Sequence, residues 1–246
     1  MKIVEYGKQN SEVILLLHGG GLSWWNYREV AELLQDKYHV VLPILDGHTG
    51  SDRDFISIEE NAKEIIDYID TTYQGSVLLI GGLSLGAQIA VEILSQREDI
   101  CKFAIIESAL IIPMKMTHYL VEPMTKMSYG LIKQEWFAKL QFKSLRIKKE
   151  LYEEYYKDTC EITESNMISF LKANSFYVVK DSLKNTKAKV YLFVGQREPR
   201  IMLRSGYKLK IIIANSKLEV LRKKYHGEFS INDAREYVKM LRIILE

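Results

Sequence analysis

The sequence has few cysteines and no long apolar run. Its two cysteines, Cys101 and Cys160, are too few for a disulfide scaffold and lack the spacing of a zinc site, so we interpret both as thiols of a reducing compartment. No apolar run approaches the roughly 18–20 residues of a membrane span, and the first residues contain no signal-peptide core. The sequence therefore predicts a cytoplasmic protein without a membrane span.

An excess of charge of either sign is also missing. The chain has 34 Lys and Arg residues against 32 Asp and Glu residues, so composition gives no reason to expect nucleic acid or an anionic membrane as the main partner. No group of residues has metal-ligand spacing, and we expect no metal and no cofactor. The length of 246 residues with 47% apolar content suits one domain with a sizeable core, while the oligomeric state stays open.

Five short apolar runs predict a buried parallel sheet. Each run is apolar at every position or nearly so, and most end at a glycine or a polar turn, which is typical of strands covered on both faces. Two more polar segments, residues 2–6 and 217–222, are predicted edge or late strands. The five runs are Val13–Leu17, Val40–Leu45, Val77–Ile80, Phe103–Ile106 and Val190–Val194.

Helical periodicity fills the segments between these runs. Ser57 followed by Glu60 forms the pattern of a capping box and predicts a helix start. Strands alternating with helices predict an α/β fold with a doubly wound, mostly parallel sheet. The predicted helices are Trp24–Gln35, Ser57–Tyr73, Leu85–Gln96 and Ile231–Leu245.

Residues 112–186 interrupt this alternation with helical patterns alone. We predict that they form an inserted helical cap on a core made of residues 1–111 and 187–246. Their Met and aromatic side chains are interpreted as core packing and as the wall of an apolar pocket under a lid. The basic cluster Lys133–Lys149 is interpreted as a solvated helix face. The Met and aromatic residues are Met114, Met116, Met124, Met127, Trp136, Phe137, Phe142, Tyr152, Tyr155 and Tyr156.

The segment Gly82-Leu83-Ser84-Leu85-Gly86 is a G-x-S-x-G pattern between a predicted strand and a predicted helix. That context is the one in which a nucleophilic serine sits on a tight turn with its hydroxyl exposed. The helix start behind it offers free backbone N–H groups. The alternative is a serine that only caps an ordinary turn between strand and helix.

A glycine-rich loop, His18-Gly19-Gly20-Gly21, follows the first buried strand. Acyl transfer needs two donors aimed at the oxyanion of the intermediate. We predict that the N–H groups of Gly20 and Leu85 supply them. For His18 we favour a structural role in bracing the loop.

The order of these motifs resembles the α/β-hydrolase superfamily, in particular bacterial serine hydrolases with a helical cap. The resemblance rests on H-G-G-G, then D-G-H-T-G-S from Asp46, then G-x-S-x-G, then G-x-x-(D/E)-P from Gly195, and a late histidine. It covers almost the whole chain. It implies a serine, an acid and a histidine in that chain order.

The resemblance places the acid at Glu198 and the histidine at His226, with Ser84 as nucleophile. Aspartate is commoner at the position of Glu198, and Asp181 and Glu219 are the alternative acids. Tyr225 stands where relatives usually have a small residue. The predicted catalytic residues are Ser84, Glu198 and His226.

Four further residues are candidates for the substrate pocket: Gly19, Trp24, His48 and His118. Trp24 follows the glycine-rich loop, and His48 lies in a loop that borders the pocket in many relatives. His118 lies in the predicted cap. For His48 a role in holding its loop by hydrogen bonds is the favoured alternative.

These residues predict a serine hydrolase of the carboxylesterase type that cleaves a small to medium acyl ester, a small-molecule substrate. An acyltransferase or a peptidase would use the same acyl-enzyme, and the fold does not fix the bond that is cleaved. A ligand binder without catalysis is the alternative from another class. A dehalogenase or epoxide hydrolase is disfavoured because those relatives need a carboxylate where this chain has Ser84.

Overall fold

A seven-stranded sheet forms the centre of the computed structural model, which describes residues 1–246. Its strands are β1 Ile3–Tyr6, β2 Val13–Leu17, β3 His39–Pro43, β4 Val77–Leu83, β5 Cys101–Glu107, β6 Lys189–Gly195 and β7 Ser216–Leu221. They are ordered β1-β3-β2-β4-β5-β6-β7, and only the β1–β3 pair is antiparallel. The predicted α/β fold class is confirmed.

Ten α-helices accompany the sheet. The predicted first helix begins as a 3₁₀ turn, Trp24–Tyr27, and the predicted last helix is preceded by a short separate one that ends before Asp233. Ser57 caps its helix as expected, since its Oγ accepts a hydrogen bond from the Glu60 N–H at 3.0 Å. The helices are α1 Arg28–Leu34, α2 Ile58–Tyr73, α3 Leu85–Gln96, α4 Lys115–Ile132, α5 Glu135–Leu145, α6 Tyr152–Glu161, α7 Glu164–Phe176, α8 Arg200–Ile212, α9 Glu228–Asn232 and α10 Ala234–Leu245.

The core lies on both faces of the sheet. Side chains of a strand alternate between faces, so Leu15 and Leu17 pack among residues of α2 and α3, while Ile14 and Leu16 pack among residues of α1 and α10. Every residue of β2 and β3 is buried. Coverage of both faces explains why these strands are continuous apolar runs in the sequence.

The parallel register brings four loops to one edge of the sheet. Leu83 of β4 pairs with Glu107 of β5, which pairs with Phe193 of β6, and Gly195 at the end of β6 pairs with Leu221 of β7. Because parallel strands end at the same edge, the loops after β2, β4, β6 and β7 meet there. These loops contain Gly20, Ser84, Glu198 and His226.

The chain between β5 and β6 contains four α-helices, α4 to α7, and the turns that connect them. Helix α4 packs against α7. The interpretation of the methionine and aromatic residues as core is wrong for Met116, Met124, Met127 and Trp136, which are exposed. Neighbouring elements cover only the opposite side of α4, where Thr125 and Ile132 are buried. None of the helices combines the length and apolar character needed to traverse a lipid bilayer.

Candidate active site

Ser84 sits on a strained turn between β4 and α3. Its backbone has φ +54° and ψ −111°, a conformation that a non-glycine residue adopts only when its surroundings enforce it. The flanking glycines make the turn possible: a Cβ on Gly82 would lie 2.3 Å from the Gly86 carbonyl oxygen, and one on Gly86 would lie 2.2 Å from the Leu17 carbonyl oxygen. The Ser84 side chain is therefore presented at the edge of the sheet, half-buried and facing a cavity.

Two backbone N–H groups near Ser84 are free to bind an anion. Gly19 N–H donates to Asn26 Oδ1 and Gly21 N–H donates to His48 Nε2, but Gly20 N–H between them donates to no protein atom. Leu85 is the first residue of α3, where an N–H group has no intrahelical acceptor. The two groups predicted as oxyanion donors are thus uncommitted, and the dipole of α3 favours negative charge at the same place.

Glu198 and His226 form a hydrogen-bonded pair. Glu198 Oε2 lies 2.7 Å from His226 Nδ1, and Glu198 Oε1 accepts hydrogen bonds from Ser108 Oγ at 2.7 Å and from the Gly195 N–H at 2.6 Å. Since an ionised carboxylate only accepts, Nδ1 donates to Glu198, and in the neutral ring Nε2 is then the acceptor. Asp181 and Glu219, the alternative acids, are exposed and make no such contact.

The Glu198 carboxylate keeps its charge although its side chain is fully buried. Burial alone raises its pKa, but the hydrogen bond and charge of His226, with the Ser108 and Gly195 donors, outweigh burial and hold the pKa below its ordinary value. His226 itself has a side chain that is 44% exposed. The buried acid therefore orients a histidine that remains accessible.

Ser84 and His226 line one apolar cavity of about 270 Å³. They make no hydrogen bond to each other in this structure. No Asp, Glu, Lys or Arg side chain contributes to the lining. The remaining lining residues are Gly19, Gly20, Gly21, Leu22, Leu83, Ile132, Gln141, Leu145, Ile147, Tyr155, Thr159, Ile162, Met167, Phe170, Leu171, Gly227 and Ile231.

Of the four residues predicted for the pocket, the structure places only Gly19 in the cavity lining. Trp24 lies under the Arg28 guanidinium, which is 4.9 Å from its ring centroid. His118 faces α7, with Nδ1 3.1 Å from the Lys172 carbonyl oxygen. Trp24, His48 and His118 lie outside the lining because each side chain is engaged by another part of the protein.

His18 and His48 brace the loops beneath the cavity. His18 Nε2 accepts from the Leu45 N–H at 3.1 Å, and His48 Nε2 accepts from the Gly21 N–H at 3.0 Å. Burial lowers the pKa of His48 to about 4 and also holds the pKa of His18 well below its ordinary value. Both rings are therefore neutral, and the His48 ring stacks on Phe170 of the cavity wall at 4.7 Å.

Sequence reasoning missed Glu107 and Ser108. The Glu107 carbonyl oxygen accepts the Ser84 N–H at 2.9 Å, and Ser108 is a partner of Glu198. Burial raises the pKa of the Glu107 carboxyl to about 7, and its Oε2 has no hydrogen-bond partner. A charged residue directly after the apolar run Phe103–Ile106 was the available signal, because such a residue lies at the edge of the sheet that holds the site.

Comparison with known proteins identifies the family. The sequence model of the alpha/beta hydrolase family matches residues 14–206. The chain belongs to the alpha/beta hydrolase family. No curated protein sequence is significantly similar to it.

Within the described residues, no group of three or more His, Cys, Asp or Glu side chains is placed to hold a metal ion.

Solved structures share the fold at low sequence identity. An esterase from Exiguobacterium antarcticum has a TM-score of 0.83 at 15% identity, over 99% of this chain and 94% of that one. An enol-lactonase from Burkholderia xenovorans has a TM-score of 0.81 at 14% identity, over 99% and 95%. A putative alpha/beta hydrolase family protein from Desulfitobacterium hafniense has a TM-score of 0.78 at 22% identity over the full length of both chains. Family and fold together support a hydrolase in general terms.

Proposed function

We propose that this alpha/beta hydrolase is a serine hydrolase that cleaves a small to medium acyl ester through an acyl-enzyme on Ser84, in the manner of a carboxylesterase. The observation that carries the proposal is the Glu198–His226 pair, 2.7 Å apart, whose histidine lines the same cavity as Ser84. Helices α4 to α7 act as a cap, since they supply eight of the lining residues.

In the first half of the reaction, His226 Nε2 takes the proton of the Ser84 hydroxyl as Oγ attacks the ester carbonyl. The Gly20 and Leu85 N–H groups bind the oxyanion of the tetrahedral intermediate. Glu198 stabilises the imidazolium, which then gives its proton to the leaving alkoxide as the ester C–O bond breaks. In the second half, water attacks the acyl-enzyme in the same way and releases the acid and free Ser84.

The cavity favours a neutral acyl group. No Asp, Glu, Lys or Arg side chain lines it, and apolar side chains form most of its lining. Its volume lies just below the range of about 300–1,000 Å³ common for ligand pockets. An acyl chain of modest length can therefore replace water in it, whereas a carboxylate on that chain would lose its hydration without a partner.

The test is hydrolysis of p-nitrophenyl esters from acetate to decanoate by the wild type, Ser84→Ala and Ser76→Ala. Ser76 is an exposed serine next to the other end of β4, so its variant is the matched control. We expect Ser84→Ala to lose at least about 10³-fold in kcat/KM, Ser76→Ala to match the wild type, and the rate to peak at a short or medium chain.

Three other results would redirect or overturn the proposal. Phosphonate labelling of Ser84 without ester turnover would favour an acyltransferase or a peptidase that uses the same site. Absence of both turnover and labelling would favour a ligand binder. Full ester turnover by Ser84→Ala would exclude Ser84 as the nucleophile.

A further inference from the structure

The outer side of α4 carries a continuous apolar stripe that nothing in the structure covers. Its residues recur every three or four positions, so they lie on one face of the helix. Met127, for example, is 79% exposed. Helix α5, which follows after two residues, adds Trp136 and Leu140 with exposures of 62% and 60%. We call these side chains the outer face: Met116, Tyr119, Leu120, Met124, Met127, Leu131, Trp136 and Leu140.

This face holds an unusual share of the molecule's exposed apolar residues. Sixteen large apolar side chains are exposed in the whole protein, and eight of them belong to the outer face. Clusters of this kind on a protein surface mark sites of interaction. The same two helices roof the candidate active site with Ile132, Gln141 and Leu145, so the outer face lies on the other side of that roof.

Positive charge is concentrated in the segment that contains α4 and α5. Residues 115–149 contain eight Lys or Arg residues and two Glu residues, a net charge of +6, whereas the other 211 residues carry 26 basic and 30 acidic side chains, a net charge of −4. Lys143 and Lys149 are exposed and form no ion pair. The near-neutral composition thus hides a strongly basic region, and its second half, Lys133–Lys149, is the cluster predicted above to be a solvated helix face.

An exposed apolar face within a basic segment favours one kind of partner. A symmetric contact with a second copy would bring the unpaired lysines of two such segments together, which costs free energy. An anionic bilayer takes apolar side chains below its headgroups and attracts the surrounding lysines. Tryptophan and tyrosine prefer the same interfacial depth. We propose that the outer face of α4 and α5 docks on the surface of an anionic phospholipid bilayer.

Binding to vesicles tests the proposal with Trp136 as the reporter. Trp25 is buried and Trp24 half-buried, so Trp136 is the tryptophan that changes environment. The full-length protein is mixed with vesicles of phosphatidylcholine and phosphatidylglycerol in equal parts, or of phosphatidylcholine alone, and then sedimented. We expect binding to the anionic vesicles, a shift of the emission to shorter wavelength, and a loss of binding with added salt.

Variants separate the apolar and the electrostatic contributions. Met127→Ser and Leu140→Ser should each weaken vesicle binding about tenfold, because each removes apolar area from the lipid. Lys143→Gln combined with Lys149→Gln should weaken it about 30-fold, at about fivefold for each lysine near the surface. All these side chains are exposed, so circular dichroism should show an unchanged fold.

A matched control lies on α8, where Ile211 is 82% exposed and Lys208 is also exposed. Ile211→Ser with Lys208→Gln should bind as the wild type does. Equal losses in this control, or no binding of the wild type, would overturn the proposal. A dimer that forms without lipid and is lost in Met127→Ser would assign the face to a second copy. Ser84→Ala should bind normally, so the result is independent of the proposed esterase activity.

Discussion

At the scale of single residues, Glu198 shows how a buried charge can be kept. Its two oxygens share three donors, from His226, Ser108 and the Gly195 backbone. Each donor favours the ionised form, and together they offset the cost of burial. An acid held in this way can fix the tautomer of a histidine whose side chain is only half covered.

Neutralising the acid while keeping its shape should therefore abolish most of the activity. Glu198→Gln can present an amide N–H to Nδ1, which would place the histidine proton on Nε2 and remove the base. We expect a loss of about 10⁴-fold in kcat, the order seen when a triad acid is neutralised. The measurement is kcat on the best p-nitrophenyl ester.

Controls for this variant come from the alternative acids. Asp181→Asn and Glu219→Gln change exposed carboxylates, so both should keep wild-type activity. Ser108→Ala removes one of the three donors and should cost only about tenfold. A Glu198→Gln enzyme with near-normal turnover would show that His226 does not depend on this acid.

At the scale of secondary-structure elements, the contact between α3 and β2 leaves no room for a side chain at Gly86. A Cβ there would lie 2.2 Å from the Leu17 carbonyl oxygen and 2.5 Å from the His18 carbonyl oxygen. Backbone atoms cannot rotate out of the way. The close approach of α3 therefore sets the separation between the Leu85 N–H and the glycine-rich loop.

Gly86→Ala should move α3 away from β2 and destabilise the protein. We expect the free energy of unfolding to fall by at least about 3 kcal/mol, since overpacking against the backbone is among the costly substitutions. The midpoint of urea unfolding measures the change. Activity should fall as well, because the two oxyanion donors no longer converge.

Gly130→Ala is the matched control in another helix. Nothing lies within 4 Å of the position that a Cβ on Gly130 would take in α4. Alanine has the higher helix propensity, so this variant should gain about 0.5–1 kcal/mol of stability. Equal destabilisation by both alanines would mean that backbone flexibility, and not the contact with β2, requires Gly86.

At the scale of the whole molecule, two buried titratable groups make stability depend on pH in opposite directions. Burial raises the pKa of Glu107 from 4.5 to about 7, so the stability it contributes is full below pH 4.5 and is lost as the pH rises through 7. Burial lowers the pKa of His48 from 6.5 to about 4, so its contribution is full above pH 6.5 and is lost as the pH falls through 4. The two slopes partly cancel between pH 4.5 and 6.5.

Glu107→Gln should remove the pH dependence of stability that Glu107 contributes and leave the one that His48 contributes. Between pH 4.5 and 7.5 the free energy of unfolding of this variant should rise relative to the wild type by about 3 kcal/mol. Urea unfolding at the two pH values gives the difference. His48→Gln should change the pH dependence of the free energy of unfolding in the opposite direction. If this pH dependence is the same in Glu107→Gln and wild type, Glu107 does not change its pKa on folding.

Much of the fold and of the candidate site was predictable because the signals are local. Glycine-closed apolar runs located the buried strands, and the G-x-S-x-G pattern between a strand and a helix located the turn of Ser84. Glu198 was assigned through the resemblance of the segment from Gly195 to the family pattern, and the structure joins it to His226. The proposal that these residues are catalytic still rests on the experiments above.

The positions of the strands and helices follow from local patterns in the sequence, since the periodicity of apolar residues matches the periodicity of the backbone. Tertiary packing settles which side chains reach the cavity, because the cavity wall is assembled from segments far apart in the chain. For the same reason it alone placed Glu107 beneath Ser84 and left the outer face of α4 uncovered. Periodicity shows that a helix has an apolar side, but the packing of its neighbours decides whether that side is buried.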